Sequence, residues 1–288
     1  MIVNAINLMK LIYSTLLLIF FQSLNAQYYY KDIIATNETN RQFQNLIANN
    51  VLTVTATGYD PNGIKDPEFS EVLQVIREMN ALKTTTNNNL SAPGMLLQVF
   101  DNNNRLIRVS DSAADMVSTT AYQYDNAGRI IEIQNTSTDS SKTINENEVH
   151  KWVYDESGKL LKMLRIINNI DTLEIRFTLD VKGNVIDESS YKNGNAGEMT
   201  YYYYDENNRL SDVVRYRKKL NKLLPDYLFE YNEKNQVIQK ITTLSNLNLG
   251  YLIWRYAFNE KGLKTKEALF NKNKSMTGKI EYSYTFSY

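Results

Sequence analysis

No cysteine occurs in the 288 residues of this chain. That excludes disulfides, thiolate metal sites and a cysteine nucleophile. It also excludes the modified cysteine of a bacterial lipoprotein anchor. There is one histidine, His150, which is too few for a multi-histidine zinc site. Neither charge is in excess: 32 basic residues meet 32 acidic ones, with no long block of one sign. Electrostatic capture of nucleic acid or of an anionic membrane therefore has no basis. Proline is scarce, with 4, while tyrosine is abundant, with 21, as suits a sheet-rich chain. No cofactor and no metal are implied.

Long apolar runs are also missing beyond the first residues. Residues 1–26 read as a secretory signal, with Lys10 ending a weak basic region, an apolar run from Leu11 to Phe21, and Ala26 at the cleavage point. The run is shorter than the roughly 20 residues a spanning helix needs. The protein is expected to be exported, periplasmic or extracellular, and to leave the membrane once Gln27 becomes its terminus.

What is present is a repeat, clearest at Tyr201–Tyr204 followed by Asp205, Glu206, Asn207, Asn208 and Arg209. Equivalent anchors are Asp101, Asp125, Asp155, Asp180, Asp205, Asn232 and Asn259, spaced 24 to 30 residues apart. Self-similarity of this kind marks a repeat architecture. Before the anchor stands Phe100, Tyr124, Tyr154, Leu179, Tyr204, Tyr231 or Phe258. Three residues after it stands Asn104, Gly128, Gly158, Gly183, Asn208, Asn235 or Gly262. A three-residue hairpin loop is a type I turn followed by a left-handed residue. Asp and Asn open such turns, and Gly or Asn tolerates the left-handed position. The spacing predicts positive φ at all seven of these residues.

The segments Tyr122–Ile130 and Val153–Leu160 resemble YD repeats, the Tyr-Asp units of the Rhs and teneurin families. The resemblance covers roughly residues 97–269. It implies long antiparallel sheets that curl into a shell, and some members bind carbohydrate or encapsulate a toxin. No toxin domain follows the last repeat. The whole chain also resembles a group of short exported Bacteroidetes proteins.

Residues 27–94 read as an N-terminal helix and first strands continuous with the sheet, and 95–288 as the hairpin repeats. The helix is predicted within Tyr28–Asn50, with Phe43, Leu46 and Ile47 on one face and Thr36 or Thr39 as N-cap. Val51–Tyr59 alternates as a strand, and Asp60–Gly63 as a turn. Pro67–Leu82 carries two conflicting patterns. Val72, Val75, Ile76 and Met79 follow helical spacing, but the repeat needs a return strand there, and strand is the reading adopted. The last strand is predicted over Lys279–Tyr288, with no turn after it.

Candidate sites are few. His150 lies in or just before a strand, where a lone histidine is far more often a strand residue than a catalytic one. No acidic pair stands apart from the turn-forming aspartates, so no glycosidase dyad is recognised. Tyr201, Tyr203 and Trp254 are the binding candidates, because aromatic faces in a row stack on sugar rings; cross-strand packing is the competing role. Arg215, Arg217, Lys218 and Lys219 form a small basic cluster, read as a solvated loop edge. Counting outward from the turns places Arg176 opposite Glu188 and Arg255 opposite Glu267. The alternate face, with Trp152, Phe177, Tyr202, Phe229 and Tyr256, is expected to be the buried one.

The expected fold is all-β: a long curved antiparallel sheet of repeated hairpins, an open shell or barrel-like, with a short N-terminal helix. The expected function is non-enzymatic, binding a glycan or cell-envelope component or acting structurally. Two alternatives from other classes are a secreted hydrolase acting on carbohydrate and an outer-membrane β-barrel. Charges a few residues into the return strands, such as Glu132, Lys162 and Asp187, oppose a lipid-facing surface.

Overall fold

The computed structural model describes residues 28–287 apart from 89–90, 114, 142, 144, 218–219 and 245–249. The signal predicted over 1–26 lies outside the described residues. One helix, α1 (Lys31–Ala48), comes first. The strands follow as β1 (Val51–Tyr59), β2 (Ser70–Ile76), β3 (Ala81–Asn88), β4 (Ser91–Phe100), β5 (Leu106–Ala113) and β6 (Met116–Tyr124). Next are β7 (Ile130–Asp139), β8 (Asn145–Tyr154), β9 (Leu160–Ile167), β10 (Asp171–Leu179), β11 (Val185–Lys192) and β12 (Asn195–Tyr204). The last are β13 (Leu210–Arg217), β14 (Lys222–Tyr231), β15 (Val237–Thr243), β16 (Tyr251–Phe258), β17 (Lys264–Phe270) and β18 (Met276–Phe286). Consecutive strands are hydrogen-bonded neighbours in one antiparallel sheet. β1 also pairs with β18, so the pairing order returns to its start. The fold is all-β and barrel-like in its pairing.

The chain resolves into two compact units. The first holds Arg41–Leu97 and Tyr227–Tyr288, and the second holds Tyr28–Asn40 and Gln98–Asp226. In the first, Phe43 and Leu46 of α1 are buried, and Asn45 donates to the Gly262 carbonyl. In the second, Tyr28, Tyr29 and Thr36 are buried. Thr36 is not the N-cap: it lies one turn inside α1 and its hydroxyl donates back to the Asp32 carbonyl at 2.7 Å.

All seven predicted positions have positive φ, from +58° at Asn104 to +89° at Gly183. In the hairpin of Asp125, its N–H donates to the Arg129 carbonyl and the Gly128 N–H donates to the Asp125 carbonyl, both at 3.0 Å. Asp125 Oδ1 accepts from the N–H groups of Ala127 and Arg129. The same bonds recur at the other anchors. Two more turns share them. Asp60–Gly63 is one, and Asn271–Lys274 is the other, with Lys274 at φ +60°. The second went unread because lysine is a poor left-handed residue; β18 therefore has its own turn before it.

Gly158 adds a steric demand to the conformational one. A Cβ there would lie 2.4 Å from Nη1 of Arg129, whose guanidinium sits over the Tyr154 ring. At Gly183 a Cβ would meet nothing within 4 Å. Gly183→Val should cost about 1–2 kcal/mol from backbone strain alone. Gly158→Val should cost more, read as a larger drop in the urea midpoint. Equal losses would show that Arg129 moves aside freely.

Beyond the turns the register departs from simple alternation. In the hairpin of Asp180, Leu179 faces Val185 as expected, but Thr178 then faces Asp187, leaving Ile186 unpaired. This is a β-bulge, two residues opposing one. The same position is skipped in the hairpins of Asp125, Asp155, Asp205, Asn232, Asn259 and Asn271. Two expected ion pairs are thereby corrected. Arg176 faces Ser189, not Glu188, and Arg255 faces Ala268, not Glu267. Glu188 instead faces Phe177, and Glu267 faces Tyr256, both on the aromatic face. Trp152 and Tyr202 are buried on that face, while Phe177, Phe229 and Tyr256 are partly buried. The bulge puts inward residues three apart instead of two: Ile130 with Ile133, Leu160 with Met163, Val185 with Glu188, all buried. It also gives a role to the tyrosine before three of the anchors. Tyr124, Tyr154 and Tyr204 donate their hydroxyls to the carbonyls of Leu106, Ile130 and Val185, at the bulge of the preceding hairpin.

Residues 70–76 and 81–88 are strands, joined by a short 3₁₀ turn at Arg77–Met79 and a left-handed Asn80. Pairing of β2 with β1 and β3 decides against helix despite the helical spacing.

Candidate functional site

The tyrosine candidates stand on the face opposite the buried aromatics. Tyr203 is 49% exposed and faces Asp212; Tyr201 is half-buried between Asp187 and Val214. Tyr216, two residues beyond Val214 and on the same face by alternation, is 42% exposed. Trp254 belongs to the first unit and does not join them. Its side chain is buried with Phe69, Leu252, Leu269 and Ile280, so it packs a core and is not offered to a ligand.

The basic cluster is also not a solvated edge. Arg215 is 2% exposed. Its Nε donates to Asp226 Oδ2 at 2.8 Å, its Nη2 makes a second bond to the same oxygen, and Arg217 bonds the other oxygen. The bulge of the Asp205 hairpin sets this inward direction, since Thr200 and Arg215 are opposed beside Tyr202 and Val213. Lys218 and Lys219 lie outside the described residues.

The principal constellation surrounds His150 in the second unit. β8 places Glu148 and His150 on one face, and β9 brings Arg165 opposite His150. The start of α1 supplies Asp32. Asp32 Oδ2 lies 2.5 Å from His150 Nδ1, and Glu148 Oε1 lies 2.8 Å from Nε2. Arg165 grips Glu148 through Nε and Nη2 at 2.8 and 2.7 Å. The Tyr29 ring meets the imidazole edge-on at 5.7 Å. Burial works against charge on His150, but the two carboxylates outweigh it and push its pKa up to about 9. Burial likewise opposes charge on Glu148, yet bonds from His150 and Arg165 bring it down to about 2. Both ring nitrogens are occupied by carboxylates, so neither is free to act as a base or to ligate a metal. In this arrangement the cluster is a saturated ion-pair network. Among the described residues, no group of three or more His, Asp or Glu is placed to hold a metal ion.

Beside it, Glu188 on β11 is 4% exposed and bonds the chain ahead of α1. Its oxygens accept from the Tyr29 N–H at 2.8 and 3.0 Å and from the Tyr30 N–H at 2.9 Å. Burial pushes its pKa up to about 7. Tyr28 and Tyr30 pack edge-on against Tyr202, at 5.9 and 5.5 Å between ring centres. Asp32, Glu148, Arg165 and Glu188 had no signal in the residue order. The bulge that places Glu188 inward is seen only in the strand pairing.

The first unit has its own buried charges. Glu71 and Glu267 are 6% exposed. Thr86 donates to Glu71 at 3.0 Å, and Lys264 pairs with Glu267 at 3.2 Å. Burial pushes Glu71 up to about 7.

No protein-family model matches the sequence, and no curated protein does. Among solved structures, the chain is similar to the Tc holotoxin pore of Photorhabdus luminescens, at 13% identity and a TM-score of 0.33, over 75% of this chain and 12% of that one. It is similar to a porin-like protein from Bacteroides uniformis, at 8% identity and a TM-score of 0.43, over 82% of this chain and 98% of that one. A porin-like protein from Bacteroides vulgatus matches at 12% identity and a TM-score of 0.22, over 82% of this chain and 98% of that one. These weak likenesses assign no activity.

Proposed function

We propose that this is an exported, non-enzymatic repeat protein that binds a neutral glycan through its exposed tyrosine face. The observation that carries the reading is the placement of Tyr201, Tyr203 and Tyr216 on one exposed face of β12 and β13, with Asp187 and Asp212 beside them. Tyrosine offers an apolar ring and a polar tip, which suits a ligand with a C–H face and hydroxyl edges. The two aspartates accept hydroxyl bonds and repel acidic sugars. The saturated state of the His150 network supports binding over catalysis.

The test is an array of neutral and acidic polysaccharides. Neutral glycans should bind, and Tyr203→Ala should weaken binding about tenfold, equivalent to roughly 1.4 kcal/mol. Absence of binding to any glycan, or binding indifferent to Tyr201 and Tyr203, would refute the reading.

The closed pairing order favours a second reading, an outer-membrane barrel. Against it stand ion pairs on the exposed face within the strands. Lys162 and Arg176 both meet Glu174, at 3.1 and 2.6 Å, and Lys151 meets Glu132 at 3.6 Å. Such charges are costly at mid-depth in lipid. Extraction only with detergent would favour the barrel.

A further inference from the structure

The segment Tyr28–Asp32 is held inside the second unit by groups from several strands. Glu188 of β11 bonds the N–H groups of Tyr29 and Tyr30. His150 of β8 bonds Asp32. Tyr202 of β12 meets Tyr28 and Tyr30, and Phe177 of β10 meets Tyr30 at 6.4 Å. We propose that this contact is a proton-linked latch: the segment stays docked while His150 carries its proton and releases as the pH rises.

The asymmetry around His150 gives the latch its direction. Glu148 and Asp32 both rely on the imidazolium, but Glu148 keeps a bidentate partner in Arg165. Asp32 does not share that partner. Loss of the proton leaves Asp32 facing a neutral ring in a partly buried site, with a single N–H of that ring to serve both carboxylates. An uncompensated buried charge is expelled where it can move. Asp32 lies outside the strand ladder, in the first turn of α1, whereas Glu148 is fixed in the ladder of β8 with β7 and β9.

The other titratable groups around the segment do not all act in the same sense. Tyr202 and Asp32 face Glu188 along with the two backbone N–H groups. Glu188 has its pKa raised by burial, while the bonds it accepts from the Tyr29 and Tyr30 N–H groups favour its ionised form, so it gives the latch no direction of its own. Burial lowers the pKa of Lys31, which faces Asp32, Glu188, Glu148 and Arg165. Its sign is opposite to that of His150: burial disfavours the charged amine, so deprotonation of Lys31 favours docking as the pH rises. Tyr29 has its pKa raised to about 12 by burial and stays neutral. The direction of the latch is therefore set by His150, with Lys31 opposing it. His150 has its folded pKa raised, so its contribution is complete below its ordinary value and lost as pH rises through about 9. Glu148 is held near 2, so its own bond to His150 persists well into acid. Release would uncover Phe177 and Tyr202, the rings that Tyr28 and Tyr30 meet.

Amide hydrogen exchange on the intact protein tests this. Between pH 6 and pH 9.5, protection at Tyr29–Ile33 should fall more than about tenfold after correction for intrinsic rates. Amides of β8–β12 should keep theirs. His150→Gln should show the released level at both pH values. Asp32→Asn removes the charge that expels the segment and should keep it protected at high pH; this variant serves if His150→Gln fails to fold. Equal protection of Tyr29–Ile33 at the two pH values in the unaltered protein would overturn the latch. So would an Asp32→Asn protein that still releases.

Discussion

Replacing Asp226 by alanine should destabilise the protein by about 3–5 kcal/mol, the cost of leaving a buried charge without its partner. The charge is Arg215, 2% exposed. Asp226 takes two bonds from it and a third from Arg217. Glu198 is a poor substitute: it reaches Arg215 only at 3.4 Å, with its side chain 67% exposed. In thermal unfolding the loss should appear as a Tm lowered by on the order of 10 °C for a chain of this size. Glu198→Ala should change little, as exposed ion pairs contribute about 0–1 kcal/mol. A further variant separates the burial of charge from its pairing. Arg215→Met together with Asp226→Leu should recover most of the loss, because apolar groups of similar volume need no pairing. If Asp226→Ala proved as mild as Glu198→Ala, the buried pair would not be a stability element.

Trp152→Ala should cost about 3–5 kcal/mol, the range for removing a buried aromatic. The indole is 3% exposed, faces Met163 at 0% exposure, and stacks on Phe177 with an 18° angle between planes. Its N–H is buried and has no hydrogen-bond partner. Trp152→Phe should therefore cost much less, under about 1.5 kcal/mol, since it keeps the stacking and removes an unsatisfied donor. Urea unfolding of the two variants decides it. Equal costs would mean that the ring Phe retains contributes nothing, and that the stack is not a stability element.

Local chemistry made the turns legible in the residues. Asp or Asn at the anchor and Gly or Asn three residues later have only a few backbone conformations open to them, and those conformations are the ones observed. The helix around Phe43 and Leu46 was legible for the same reason, since its apolar face repeats at helical spacing.

The bulges were not legible. The skipped residues are Ile131, Leu161, Ile186, Ser211, Ile238, Thr265 and Thr277, which share no property that a backbone would read. A bulge is chosen by what the strand must face, and one skipped residue reverses the side on which every later side chain stands. Tertiary structure alone therefore moved Glu188 and Glu267 from exposed pairing to the buried face, turned Arg215 inward and set Trp254 in a core. It also assembled the His150 site, whose members come from distant parts of the chain. Asp32 and His150 are 118 residues apart, and Tyr29 and Glu188 are 159 apart. No local pattern encodes such a meeting. It arises because a buried imidazole and two partly buried carboxylates must satisfy one another once the sheet has drawn them out of water.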